Sequence, residues 1–324
     1  MNEKDRDRSG DGAGPVANKV GKYKTTCLHS ILAVLMFSFF ASLQSANAAV
    51  VKPASLRGLS LTVDFGVMRP GNFHANFYNG NPRNVNTLQR ILYSETYGNS
   101  IWNNLTTQNL IGSSVANYNQ ITVAEYGDMY YRMAFQLGMG FRYDYENTGW
   151  GWQVKFDYAK LHAQGLVLLN SGHNTAFLTN QNAYVNCPTA GTEERIYLDF
   201  GLLHTFKVGN GLDLELGLGG NLNNTKVESS DISIGGITYS ILDIWGGQSP
   251  SSYVGSYEYV NQGGIGYGGY VSVALGFTLP IGTAMSIGYT FHYNKVILEG
   301  YNAFAPHHVV KLNVALNNFS FFDS

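Results

Sequence analysis

Hydrophobic side chains recur at every second position along much of this chain. From Leu59 to Val67 the odd positions hold Leu59, Leu61, Val63, Phe65 and Val67, and the even ones Ser60, Thr62, Asp64 and Gly66. An extended strand of that pattern has one apolar and one polar face. The alternation continues from Tyr131 to Tyr145, with Arg132, Gln136, Arg142 and Asp144 in the polar set. Strands of soluble proteins commonly stop near five or six residues, whereas a strand inclined across a bilayer needs about 9–11. Six further segments repeat the pattern: Trp150–Ala159, Ile196–Val208, Leu212–Gly219, Ile265–Thr278, Met285–Asn294 and Val310–Asn317. The pattern predicts eight strands.

The connections sort into two kinds. Asn147-Thr148-Gly149, Gly209-Asn210-Gly211 and Pro280-Ile281-Gly282-Thr283 are tight-turn sequences. The others are long, roughly Pro70 to Tyr130, Gly165 to Glu194, Asn223 to Gly263 and Leu298 to His308. Strict alternation of short and long connections is how an even-stranded outer-membrane barrel arranges periplasmic turns and extracellular loops. The expected architecture is all-β, an eight-stranded antiparallel up-and-down transmembrane barrel. Aromatic girdles are expected from Tyr143, Tyr145, Trp150, Trp152, Phe206, Phe277 and Phe319 at the turn end. Tyr131, Tyr158, Tyr267 and Tyr293 should ring the opposite rim.

Composition supports strands in contact with lipid. Only 13% of the 324 residues are charged while 14% are aromatic, against a charged share near a quarter in ordinary soluble domains. No stretch after the first fifty residues approaches the roughly 18 apolar residues of a transmembrane helix. At the start of the chain, Lys19, Lys22 and Lys24 precede an apolar run from Ile31 to Leu43 that ends in Ser45-Ala46-Asn47-Ala48. That order of features is a cleavable export signal, dividing the chain into a signal peptide, residues 1–48, and a barrel domain, residues 49–324. Its removal leaves 14 basic and 18 acidic residues and a net charge of about −4, which excludes a nucleic-acid footprint. Cys187 is then a lone cysteine, with no partner for a disulfide, a redox pair or a thiolate metal site. Its surroundings, Tyr184 to Thr189, read as a polar loop.

At this point the chain resembles the small outer-membrane barrel families, the OmpA-type transmembrane domains and the outer-membrane β-barrel domain proteins common in Bacteroidota. The resemblance covers roughly Leu56 to Phe322 and rests on the strand pattern. It implies assembly by the barrel insertion machinery, with periplasmic chaperones and with outer-membrane lipid and lipopolysaccharide as surroundings. That machinery reads a last strand such as Val309 to Phe321, which is followed here by Phe322-Asp323-Ser324 instead of ending on the usual terminal Phe. A separate peptidoglycan-binding domain is not expected after strand eight.

Eight strands enclose a lumen that side chains can fill. The inward positions expected from the pattern are Asp64, Asp144, Asp157, Asp199, Asp213 and Glu215 against Arg132, Arg142, Lys155, Lys207 and Lys311. Six acids facing five bases point to an ionic network that plugs the barrel, since an unpaired buried charge is costly; an ion path is the alternative. Gly264-Ile265-Gly266-Tyr267-Gly268-Gly269 matches a dinucleotide fingerprint, but a strand follows it where the fingerprint requires a helix. No His-x-Ser pair of the kind used by lipid-deacylating barrels occurs on a strand; His292, His307 and His308 with Glu299 are the nearest cluster of polar rim residues. No catalytic residue, cofactor or metal is assigned. The expected role is non-enzymatic, structural or adhesive, through the Asn- and Tyr-rich first loop and a third loop with a hairpin built on Ile232, Ile234, Ile237, Tyr239 and Ile241, followed by Trp245, Tyr253, Tyr257 and Tyr259. A small porin or conduit, and a lipid A-modifying surface enzyme, are the alternatives.

Overall fold

The computed structural model describes residues 58–83, 86–145, 147–173, 183–209, 211–242, 263–279 and 283–316. The segment expected as an export signal, Asn210, Pro280 to Gly282, Trp245, Tyr253, Tyr257, Tyr259 and Phe319 to Phe322 lie outside these residues.

Eight strands form the wall: β1 (Gly58–Pro70), β2 (Ala134–Asp144), β3 (Trp150–Asn170), β4 (Tyr184–Gly209), β5 (Leu212–Ile234), β6 (Gly263–Thr278), β7 (Ala284–Leu298) and β8 (Phe304–Leu316). Each pairs antiparallel with the next, and β8 pairs with β1, so the sheet closes on itself. The pairing partners run Ser60, Arg142, Gln153, Gly201, Gly219, Tyr270, His292 and His307, then reach Pro70, ten residues along β1 from the start. A stagger of that size in eight strands inclines them by about 40° and leaves an interior that side chains fill.

The pleat places Leu59, Phe65, Phe135, Met139, Phe141, Phe156, Phe200, Leu202, Leu218 and Val271 outward and exposed, while Thr62, Asp64, Gln136, Asp157, Asp199, Asn221 and Lys311 are buried inside. The polarity is inverted relative to a soluble barrel, and an apolar outer band flanked by aromatics is what a bilayer selects. Among the described residues no helix is long and apolar enough to cross a membrane.

Three strands overrun the band. Strand extends into the segments expected as the second long loop and the start of the third: β3 runs to Asn170, β4 starts at Tyr184 and β5 runs to Ile234. Short strands Val123–Tyr126 and Tyr130–Tyr131 add to β3, and Ile237–Ser240 folds back on β5 through Gly235-Gly236, confirming the expected hairpin. Inward positions here are Ala163, Val185, Cys187, Thr189, Gly191 and Ser230. Small and polar residues on the buried face concealed the period. Helices α1 (Leu88–Leu92) and α2 (Glu95–Thr107), the latter capped by the Ser94 hydroxyl, cover that face. Leu88, Leu92, Ile101 and Leu105 from the helices meet Val167, Leu169, Val185, Cys187, Ile232 and Ile234 from the sheet in a core of their own.

Candidate functional site

The lumen is filled in layers. Nearest the turns, Arg142 donates from Nε to Asp144 Oδ2 at 2.9 Å, from Nη1 to Glu215, and from Nη2 to the Thr205 hydroxyl at 3.1 Å. In the middle, Lys311 Nζ lies 2.7 Å from Asp157 Oδ2 and Lys155 Nζ 3.4 Å from Asp64 Oδ1, which also accepts from Asn313 at 2.6 Å. Asp199 accepts from Asn221 and lies 2.9 Å from His292 Nε2; Gln153 donates to the Tyr270 hydroxyl. The close approach depends on the wall: a Cβ on Gly138 would overlap the Asp157 carboxylate. Asp64, Lys155, Asp199, Tyr270 and Lys311 border a cavity of about 50 Å³, room for a few waters and for no larger solute.

Of the eleven charged residues expected in this network, Asp64, Arg142, Asp144, Lys155, Asp157, Asp199, Glu215 and Lys311 are brought together. Asp213 and Lys207 face each other at the open turn end, where Lys207 is exposed. Arg132 corrects the expectation. Tyr131 pairs with Ala163 but Gln136 pairs with Ala159, so the stretch from the short strand Tyr130–Tyr131 into β2 carries one extra residue. That bulge reverses the faces: Arg132 points out and donates to Gln164, while Tyr131, expected in the outer girdle, is buried inside. Tyr130 takes the outward place. Tyr158, Tyr267 and Tyr293 at the same rim, and Tyr145, Trp150 and Phe206 at the other, are outward as expected.

A second charged site, not anticipated from sequence, closes the mouth. Immediately after β1, a 3-10 segment, Asn72–Asn79, turns into the barrel with His74, Ala75, Phe77 and Tyr78 fully buried. Its Asn72 and Asn76 side chains accept from the Tyr131 and Met129 amides at 3.2 and 2.7 Å, ending the ladder there. The Tyr78 hydroxyl donates to Glu193 Oε2 at 2.6 Å, and the Tyr131 hydroxyl to the same oxygen at 3.1 Å. Arg195 Nε donates to Glu193 Oε1 at 2.6 Å, both side chains being wholly shielded from solvent. Gly191 provides the seat, because any side chain there would overlap the Tyr78 ring. Phe77, Tyr78, Met68, Met129, Tyr197, Leu298 and Tyr301 seal the layer above the ionic network. Continuing the alternation back from Tyr197 would have placed Arg195 and Glu193 inward.

The histidine cluster assembles only in part, His292 and His307 being cross-strand partners that both face inward. His292 is engaged by Asp199, His307 lies inside beside His74, and His308 faces outward with Nδ1 2.7 Å from the Tyr289 hydroxyl. Among the described residues no three His, Cys, Asp or Glu side chains are placed to share a metal ion. Gly264 to Gly269 lie in β6 with no helix following, and Cys187 is a buried strand residue instead of a loop residue. Outside the wall, Gln108, Asn109, His173, Tyr184, Asn186 and Ser233 border a groove on the cap of about 580 Å³.

No protein-family model and no curated protein sequence matches the chain. Among solved structures it is similar to Neisserial surface protein A, at 9% identity over 81% of this chain and 100% of that one, TM-score 0.34. It is also similar to OprG from Pseudomonas aeruginosa, at 9% identity over 81% and 97%, TM-score 0.35. A third similarity is to Ail, the attachment invasion locus protein of Yersinia pestis, in complex with the heparin analogue sucrose octasulfate, at 11% identity over 80% and 97%, TM-score 0.31.

Proposed function

We propose that the chain is an integral outer-membrane barrel whose closed lumen is structural and whose task is carried out by the ordered cap, as a non-enzymatic binding or adhesive surface. The observation that carries this reading is the second core. Helices α1 and α2, the overrunning ends of β3, β4 and β5, and Ile111, Val115, Ile121 and Ile241 from the segments between them pack fifteen buried apolar side chains beyond the lipid-facing band. A barrel needs no such structure to stay in a bilayer, and rigid scaffolds of this kind present recognition surfaces. The cap groove, with amide, imidazole, phenol and hydroxyl groups on its walls, suits a polar ligand.

The plug and the ion pairs beneath it argue against a conduit. The test is a chain with the hairpins shortened at Gln164/Ala190, which keeps Gly191, Glu193 and Arg195, and at Lys226/Gly263, with residues 84–126 replaced by a short linker. It should still insert and show a heat-modifiable band, while losing adhesion of expressing cells to immobilised glycans and matrix proteins. Adhesion equal to that of the complete chain would overturn the proposal. Planar-bilayer conductance of the complete chain should stay at baseline.

A further inference from the structure

We infer that the cap-side rim of the barrel is a binding collar for lipid headgroups carrying uncompensated phosphate. The inference rests on the reading of the chain as a bilayer-spanning barrel. Going outward from the apolar band toward the cap, the first charged side chains on five different strands or their edges are Arg69, Arg132, Lys160, Lys226 and Lys295, all on the outer face. With the strand inclination accounted for, they occupy a band roughly 8 Å deep. Arg69, Arg132, Lys160 and Lys226 are exposed and Lys295 is half-buried.

Two carboxylates share the collar. Lys160 Nζ lies 2.6 Å from Glu228 and Lys226 Nζ 3.7 Å from Glu194. Arg69, Arg132 and Lys295 form no ion pair among the described residues, so the band is cationic overall. Tyr158, Tyr267 and Tyr293 stand exposed at its lower edge, at the depth where amphipathic rings meet headgroups.

The opposite rim is different. Among the described residues its outward positions, Tyr143, Tyr145, Trp150, Trp152, Phe206 and Val208, carry aromatic or aliphatic side chains and no charge. The asymmetry is specific to one leaflet. A cation held at the edge of an apolar band has lipid below it and water above, and the anion available at that depth is a headgroup phosphate. Arg, with five N–H donors in a fixed fork, suits a phosphate monoester in particular.

The test uses the mature chain refolded in phosphatidylcholine vesicles, with spin-labelled phosphatidic acid or spin-labelled phosphatidylcholine as the probe of the lipid in contact with the wall. The wild type should select the phosphatidic acid, by about fivefold for each basic side chain that engages a phosphate, and 1 M salt should remove most of the preference. Neutralising all five to Gln should bring selectivity close to one, while Lys207→Gln at the other end should leave it intact. Should the fivefold variant not fold, R132Q/K226Q tests the same point with a partial loss. Equal selectivity in wild type and collar variants, or none in the wild type, overturns the collar. Absence of a heat-modifiable band in plain phosphatidylcholine vesicles would instead overturn the membrane reading itself.

Discussion

Glu193→Gln tests the plug most directly. The carboxylate accepts from Tyr78, Tyr131 and Arg195, and no part of the Glu193 or Arg195 side chain reaches solvent. An amide of the same shape keeps the volume and removes the charge. Whichever way it turns, its NH₂ group confronts donors, either the guanidinium or the two phenols, and Arg195 is left as an uncompensated buried cation. Removing one member of a buried pair costs about 3–5 kcal/mol, two to four powers of ten in the folding constant. A double variant, E193Q/R195M, takes away the stranded charge, keeps a carbonyl for the phenols and should recover most of the loss, at least about 2 kcal/mol. Urea unfolding in phospholipid vesicles, followed by the heat-modifiable band and by tryptophan emission, measures both. E193Q within about 1 kcal/mol of wild type, or a double variant no better than the single, would refute the assignment of Arg195 and Glu193 as a mutually dependent pair.

Three further outcomes are expected. His74, in the plug segment, has its pKa lowered from 6.5 to about 3 by burial and then by the positive Arg195, against a smaller opposing pull from the Ala303 carbonyl. Its docking is therefore fully favoured above pH 6.5 and weakens as pH falls toward 3, by about 30-fold at pH 5. Amide exchange of residues 72–79 at pH 7.5 and 5.0 should show this, and His74→Gln should flatten it. Burial in the cap pushes the Cys187 thiol up to about 12, so at pH 8 only about one molecule in 10⁴ is thiolate; maleimide labelling should be negligible until the cap is unfolded. Met139→Arg, in the middle of the lipid-facing band, should cost about 2–4 kcal/mol in a bilayer, whereas Asn186→Lys on the outer face of the cap should stay within about 0.5 kcal/mol, both read from vesicle unfolding.

The barrel was legible because its outer face must be apolar at every second residue, a demand that few substitutions evade. The interior pairs were half legible: parity identifies Asp157 and Lys311 as inward, but only the ten-residue stagger brings β3 and β8 side chains together across the lumen. Arg132 and Tyr131 were misplaced because a bulge shifts parity without any mark in the residue types. The cap was missed for the converse reason. Its inner face is built from Ala163, Thr189, Gly191 and Ser230, small residues that make room for Tyr78 and the helices, so the alternation there carries little hydrophobic contrast. Glu193 and Arg195 lay at the border of what looked like a loop, and their roles appear only once Tyr78 arrives from a segment more than a hundred residues earlier.

The unbroken passage of β3, β4 and β5 from the lipid-facing wall into the cap has a mechanical meaning. Twenty-one backbone pairings join β3 to β4, from Trp150 opposite His204 to Asn170 opposite Tyr184, with no hinge between the two zones. A load applied to the cap along the barrel axis pulls this hairpin as a unit and meets the hydrogen bonds of β3 to β2 and of β4 to β5 in shear, many at once, instead of peeling them one after another. Tension is thereby delivered to strands gripped along their lower halves by six other strands and the surrounding bilayer. Pulled from outside, the cap should hold until the barrel itself is extracted.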